Sequence, residues 1–175
     1  MIFPDIKAFK YHMREYAVLK KCMWKIKKTD PTRAYLKCKN KDCKWEVSAR
    51  KLSTEHTIKV RTCNLKHTCP GLKKHKNPMC NSEFVKDYML KKLGFSDEVP
   101  SAKRIHKEHI WPRFGVEIPK WLAAEAKTLI LAKLHGTFEE SYTKIPSLVK
   151  EVMNMDSENI CSFTKSIDDA GANRF

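Results

Sequence analysis

Apolar residues recur with a helical period at the start of the chain. In residues 5–18, DIKAFKYHMREYAV, Asp5 can serve as N-cap, and Ile6, Phe9, Met13, Tyr16 and Ala17 fall on one face. This predicts a short amphipathic helix that covers another element. The period then changes to two. In 22–28, CMWKIKK, Trp24 and Ile26 point one way and Lys25 and Lys27 the other. RAYLKC (33–38), KWEVSAR (44–50) and HTIKVRTC (56–63) alternate in the same manner, with turn chemistry in TDPT (29–32) and KNKD (39–42). The pattern predicts a four-stranded antiparallel meander, in which Trp24 and Ile26 hold the first strand to the sheet. So small a sheet has a thin core and profits from a staple.

From about residue 77 the period is helical. NSEFVKDYMLKKLG (81–94) has a cap-like start, Gly94 as its stop, and Phe84, Val85, Tyr88, Met89 and Leu93 as its stripe. SAKRIHKEHIW (101–111) is expected to end at Pro112. PKWLAAEAKTLILAKLHG (119–136) places Pro119 in its first turn and Gly136 after its end. A last helix is expected within 141–155, beginning near Pro146, and the tail 156–175 is polar with little periodicity. The fold class expected is therefore α+β: a helix, a small sheet, and a helical domain. The expected divisions are 1–76, 77–155 and 156–175.

Charge sharpens this division. Residues 1–76 carry 21 Lys and Arg against 6 Asp and Glu, whereas 77–175 carry 14 against 14, so the whole excess of +15 lies in the first segment. A field this concentrated favours a polyanion, nucleic acid before an anionic membrane, because an interfacial helix needs a basic face opposite a wide apolar one. The start, MIFPDIKAFKYHM, lacks an apolar core and a cleavage site of the signal-peptide kind, and the longest purely apolar run is LILA (129–132). Seven cysteines in a chain expected to stay in a reducing compartment point to thiols and metal rather than disulfides. With this charge the nucleus is the expected location.

Four ligand-type residues stand at predicted strand ends. Four residues separate Cys38 from Cys43, twenty-three separate Cys43 from His67, and one separates His67 from Cys69. Zinc prefers a tetrahedron of thiolate and imidazole, and a structural site fills all four positions with protein. Two cysteines around a turn and a His-x-Cys pair at the end of a later strand can converge on one ion. Cys63 is a rival to Cys69, giving a different set of three cysteines and one histidine. Cys80 lies beyond the sheet. Cys22 and Cys161 read as buried small hydrophobes, and His56 and His75 as surface residues.

The spacing C-x4-C-x23-H-x-C, with RAYLKC before it, DCKWEV around the second cysteine and TIKVRTCNLKHTC at its end, resembles the WRKY/GCM-type zinc fold. It is more closely similar to the N-terminal zinc region of plant MuDR-type (Mutator-like) transposases. LAAEAKTLILAKLHGTFEESYTKIPSLVKEV follows the course of that family's helical region, so the resemblance covers roughly residues 3–155. It implies one structural Zn2+ and an exposed strand that enters the DNA major groove edge-on, here MWKIKKT (23–29). The glycine-containing groove strand of the WRKY family is absent, so no base contact transfers. Lys25 and Lys27 are the outward set of the strand, and Lys28, Arg33, Lys37 and Lys44 are the candidates for phosphates. In that lineage an RNase H-like catalytic domain with three carboxylates follows this region. The chain reaches only its approach, and Asp168 and Asp169 read as solvated loop residues, so no cutting or joining of DNA is expected from this chain by itself.

The reading is a zinc-dependent, duplex-DNA-binding portion of a Mutator-like transposase or a domesticated derivative, with no small-molecule substrate and no membrane partner. The alternatives are a transcription regulator with the same finger and a zinc-dependent protein-interaction module. Residues 101–135, with Gly115 in the turn, admit a helix-turn-helix reader as well as a supporting bundle.

Overall fold

In the computed structural model Asp5 caps the first helix, α1 (Ile6–Leu19), accepting a hydrogen bond from the Ala8 amide at 2.6 Å. The residues described are 1–52, 57–72, 75–94, 98–136, 138–155, 166–167 and 173–174. Ahead of α1 lies a two-residue strand, β1 (Ile2–Phe3). The alternating segments form β2 (Trp24–Asp30), β3 (Arg33–Cys38), β4 (Glu46–Lys51) and β5 (Ile58–Asn64). They make one antiparallel sheet in the order β1-β5-β4-β3-β2. Five strands stand where four were expected, because two residues are too few to show a period. Phe3 nevertheless meets the Phe9 ring edge-on at 5.4 Å.

The period of two divides the sheet into faces. Trp24, Ala34, Leu36, Val47, Ala49 and Ile58 are buried in one core with Phe9, Met13 and Ala17 of α1. Burying a large apolar side chain contributes about 1.5–3 kcal/mol, so this packing is what keeps the helix on the sheet. The Trp24 indole N–H also donates to the Met13 carbonyl at 2.9 Å, tying the edge strand to the helix.

Ile26 departs from expectation. It stands opposite Leu36 and so on the core side, yet it is 46% exposed and holds nothing. β2 is the outermost strand, α1 lies against β3, and only Trp24 of β2 reaches underneath. A bulge between Ile26 and Lys28 makes Lys27 the extra residue and breaks the simple alternation.

The fall in charge at residue 76 is no break in packing, for the first of two compact units runs from Met1 to Ile130. Asn77 is buried and donates to the carbonyl of Ala17 at 3.0 Å, and the Tyr11 ring stacks on Phe84 at 5.8 Å. Phe84 belongs to α2 (Ser82–Leu93), capped by Asn81 and followed by Gly94. The next helix does not end before Pro112. α3 (Ala102–Arg104) passes into a π-helical turn (Ile105–Ile110) and then α4 (Trp111–Phe114), in whose first turn Pro112 sits. The wider π turn ahead of Pro112 relieves the clash that ends a regular helix, so the helix continues past it. Gly115, left-handed at φ +58, is the stop. α5 (Lys120–His135) buries Leu122, Ala123, Ala126 and Ile130.

The second unit spans Leu131–Phe175. The last helix forms where it was expected, near Pro146, as α7 (Ile145–Met155), with a short α6 (Phe138–Thr143) before it, and the short strands β6 (Ser166–Ile167) and β7 (Asn173–Arg174) pair antiparallel. Asp168, Asp169, Cys161 and His56 lie outside the described residues.

The two core-side positions of β2 and β3 make opposite predictions. Leu36→Ala removes a fully buried side chain and lowers the unfolding free energy by about 2–5 kcal/mol. Ile26→Thr, half exposed on the edge, changes it by about 0.5 kcal/mol or less. Urea titrations at one fixed metal concentration compare them, and equal losses would place Ile26 in the core after all.

Candidate metal centre and nucleic-acid face

Cys38 closes β3, Cys43 follows the turn after it, and His67 and Cys69 follow β5. Antiparallel pairing brings these chain ends to one edge of the sheet. The four ligand atoms all lie within 4.8 Å of one another. The Cys38 and Cys69 sulfurs are 3.6 Å apart, Cys43 Sγ is 3.3 Å from His67 Nδ1, and Cys69 Sγ is 3.6 Å from it. Bonds of roughly 2.3 Å to sulfur and 2.0 Å to nitrogen at the tetrahedral angle set such atoms about 3.5–3.8 Å apart. The four side chains thus fit one metal ion, with no coordination position left over. Cys63, the rival, is exposed on β5 and outside the group, and Cys22 and Cys80 are buried free thiols.

The chain around the group is fixed by its own backbone. The Thr68 amide approaches Cys43 Sγ at 3.4 Å, the Asn64 side-chain amide donates to the carbonyl of Lys44 at 3.0 Å, and Asn40 accepts from the Asp42 amide at 3.0 Å. After Cys69 the chain turns at Gly71, φ +69, so that the Leu72 amide donates to the carbonyl of Lys21 at 2.7 Å. A Cβ on Gly71 would stand 3.1 Å from that same carbonyl oxygen, so glycine is needed for the approach as well as for the φ.

Trp45 connects the group to the core. Its fully buried ring lies nearly parallel to the His67 imidazole, 5.2 Å between centroids at 10°, and stacks on its other neighbour, Tyr16 of α1, at 6.4 Å. This presents Nδ1 of His67 to the sulfurs. The thiols differ in acidity. Burial would raise Cys43, but donation from the Trp45 and Thr68 amides and from His67 brings it down to about 5. Burial pushes Cys38 up to about 12, and the neighbouring sulfurs of Cys69 and Cys43 add to the rise, against donation from the Asn40 amide.

The face of the sheet away from α1 has no buried residue. By register it carries Lys25 and Lys28 of β2, Arg33 and Lys37 of β3, Arg50 of β4 and Lys59 of β5. Its acids are Asp30, 2.6 Å from Arg33, and Glu46, 3.2 Å from Lys37. Of the residues expected to meet DNA, Lys25, Lys28, Arg33 and Lys37 therefore share this face. Lys27 sits at the bulge of the edge strand, and Lys44 lies exposed beside the Cys/His group. Arg50 and Arg61 were not singled out from the sequence. Arg50 is legible in KWEVSAR, where Lys44, Glu46, Ser48 and Arg50 alternate with Trp45, Val47 and Ala49. Arg61 follows from the same alternation, Lys59 and Arg61 against Ile58 and Val60, although a bulge opposite Ser48 and Ala49 makes it the extra residue of β5.

Two variants separate the ligand sets. Cys43→Ala abolishes stoichiometric Co2+ binding, read by thiolate-to-metal absorption, and destabilises the sheet, whereas Cys63→Ser retains both. Proton release gives the pH dependence. Between about 5 and 12 the metal must expel the Cys38 proton but meets Cys43 as thiolate; below about 5 it must expel the Cys43 proton too. Affinity therefore falls with falling pH and falls more steeply, by about another tenfold per pH unit, below pH ~5. A slope that stays the same across that point would contradict the assignment of Cys43.

No curated protein matches the chain. Among solved structures, the crystal structure of AFT2 in complex with DNA is similar over 51% of this chain and 76% of that one, at 17% identity and a TM-score of 0.42. Residues 1–60 match the family model described as MuDR family transposase, a segment that holds Cys38 and Cys43 and ends before His67 and Cys69.

Proposed function

We propose that this chain is a zinc-stapled module that binds duplex DNA in a Mutator-like transposase or a domesticated derivative, recognising DNA such as transposon ends and working in the nucleus. The observation that carries the reading is the pairing of a bare, basic sheet face with a four-ligand group at its edge, in a chain whose residues 1–60 match the MuDR family model. Zn2+ is the ion that suits three thiolates and one imidazole in a closed tetrahedron, and with no open position it holds the fold and does no chemistry. The edge strand β2 is the element that enters the groove. It pairs on one side only, with β3, and carries Lys25, Lys27 and Lys28. Phosphate contacts from these lysines, Arg33, Lys37 and Lys44 position the protein, and the sequence is read by whatever β2 presents to base edges.

Catalysis belongs elsewhere in this reading. Divalent-metal phosphoryl chemistry needs carboxylates that hold the ions, and the only Cys, His, Asp and Glu group among the described residues with metal-site geometry is the cysteine-rich one. The full chain with Mg2+ or Mn2+ is expected to leave duplex DNA uncut.

Binding to duplex DNA by fluorescence anisotropy over a series of salt concentrations tests the reading. The affinity falls steeply with salt, because neutralised phosphates release counterions. Changing Lys25 and Lys27 together to glutamate weakens binding by about tenfold or more and flattens the salt dependence by roughly one unit for each phosphate no longer neutralised. Affinity for duplex that ignores salt, or no binding at low salt, leaves a protein-interaction module as the better account. Selection from random duplex then identifies the sequence preferred.

A further inference from the structure

We infer that the open sheet face binds a sugar-phosphate backbone through a trough that crosses all four long strands, with Arg50 and Arg61 as further phosphate-binding residues. This rests on the duplex-DNA reading above and extends it from the edge strand to the face. Three cross-strand rows define the face. One is Lys25, Lys37, Glu46 and Asn64; the next is Lys28, Tyr35, Ser48 and Thr62; the third is Asp30, Arg33, Arg50 and Lys59. The middle row is the floor, with hydroxyl groups at three of its four positions. Lys28, Arg33, Tyr35, Ser48, Arg50 and Arg61 line an open trough of about 370 Å³ over it.

The third row is the telling one. Arg33 stands directly opposite Arg50, and Arg50 directly opposite Lys59. Like charges at facing positions of an antiparallel pair destabilise it, and the acid of the row, Asp30, is engaged by Arg33. Lys28, Arg50 and Arg61 have no acidic partner among the described residues. Arg50 and Arg61 thus carry charge that no acid among the described residues offsets, and an anion laid between the rows would compensate it. Arg61 lines the trough as the extra residue of a bulge in β5 opposite Ser48 and Ala49.

The shape selects the ligand. The trough is open and extends from β2 to β5, three strand spacings or about 14 Å. A small anion would be left unenclosed there, but a strand of phosphodiesters can follow it. Its β2 end is Lys28, next to the residues that enter the groove, so one duplex can meet both surfaces.

The test is the double variant Arg50→Gln with Arg61→Gln in the full metal-loaded chain, set beside the Lys25/Lys27 glutamate variant. With a duplex of about 20 base pairs the expected result is a loss of about tenfold in affinity near ~100 mM salt and a salt slope shallower by about two. Arg50→Gln alone also raises the melting temperature of the free protein by ~1–3 °C, since it relieves the facing charges. An unchanged affinity and slope in the arginine variant, with binding lost in the lysine variant, confines DNA to the edge strand and overturns the trough alone. Failure of the unaltered chain to bind duplex at low salt overturns both readings.

Discussion

The sheet is held at one end by chain ends that cannot hold themselves. Cys38, Cys43, His67 and Cys69 leave four different points of the meander, and their common approach to within 4.8 Å, with the hydrogen bonds of Asn64 and Thr68, fixes the turn after β3 against the segment after β5. Trp45 passes that constraint inward. It is fully buried between His67 and Tyr16, so the metal group and the helix that covers the sheet are packed against the same ring. A sheet of short strands covered on one face has too little apolar area to spare. A tetrahedral ion supplies the closure that a larger core would give elsewhere, at an apparent ~10–16 kcal/mol for small zinc domains.

That economy leaves the second face free. Because side chains alternate, the residues that would have made a second core layer are lysines, arginines and hydroxyls, and none is buried. The two bulges matter here for opposite reasons. The one in β2 frees Lys27 at the exposed edge, and the one in β5 makes Arg61 an extra residue beside the trough and keeps Thr62 opposite Ser48. Both adjust where charge is presented without changing which residues are in the core.

How far this was legible in the sequence depends on the length of the signal. The helix at Ile6, the four long strands and the cap at Asn81 each rest on several periodic residues or on a capping side chain, and they formed where the pattern put them. The Cys/His spacing was readable because turn and strand ends are the places where distant ligands converge. What escaped depends on neighbours. β1 is two residues long, Ile26 is on the core side but beyond the helix that makes a core, and the register slip after Val60 leaves no mark on the alternation. Pro112 misled for a similar reason, since a proline ends a helix only if the turn before it is a regular one.

Stability and binding compete on the open face. Arg33, Arg50 and Lys59 face one another across adjacent strands, Arg33 with Asp30 beside it and Arg50 with no acid among the described residues, so positive charge crowds this row in the free protein. Most of the chain's excess positive charge shares the first 76 residues with that face, so the repulsion is not a local matter of one pair. A sheet held by apolar packing alone would respond by fraying at β2 or slipping register, both of which move the lysines away from their rows. In the proposed reading the staple would prevent this, because displacement of β3 or β5 also pulls Cys38, His67 or Cys69 from the common point. A bound ion would then do more than offset a thin core: it would keep a self-repelling surface in register until a polyanion neutralises it, and so would couple metal loading to DNA binding through the sheet although no ligand of the metal need touch DNA.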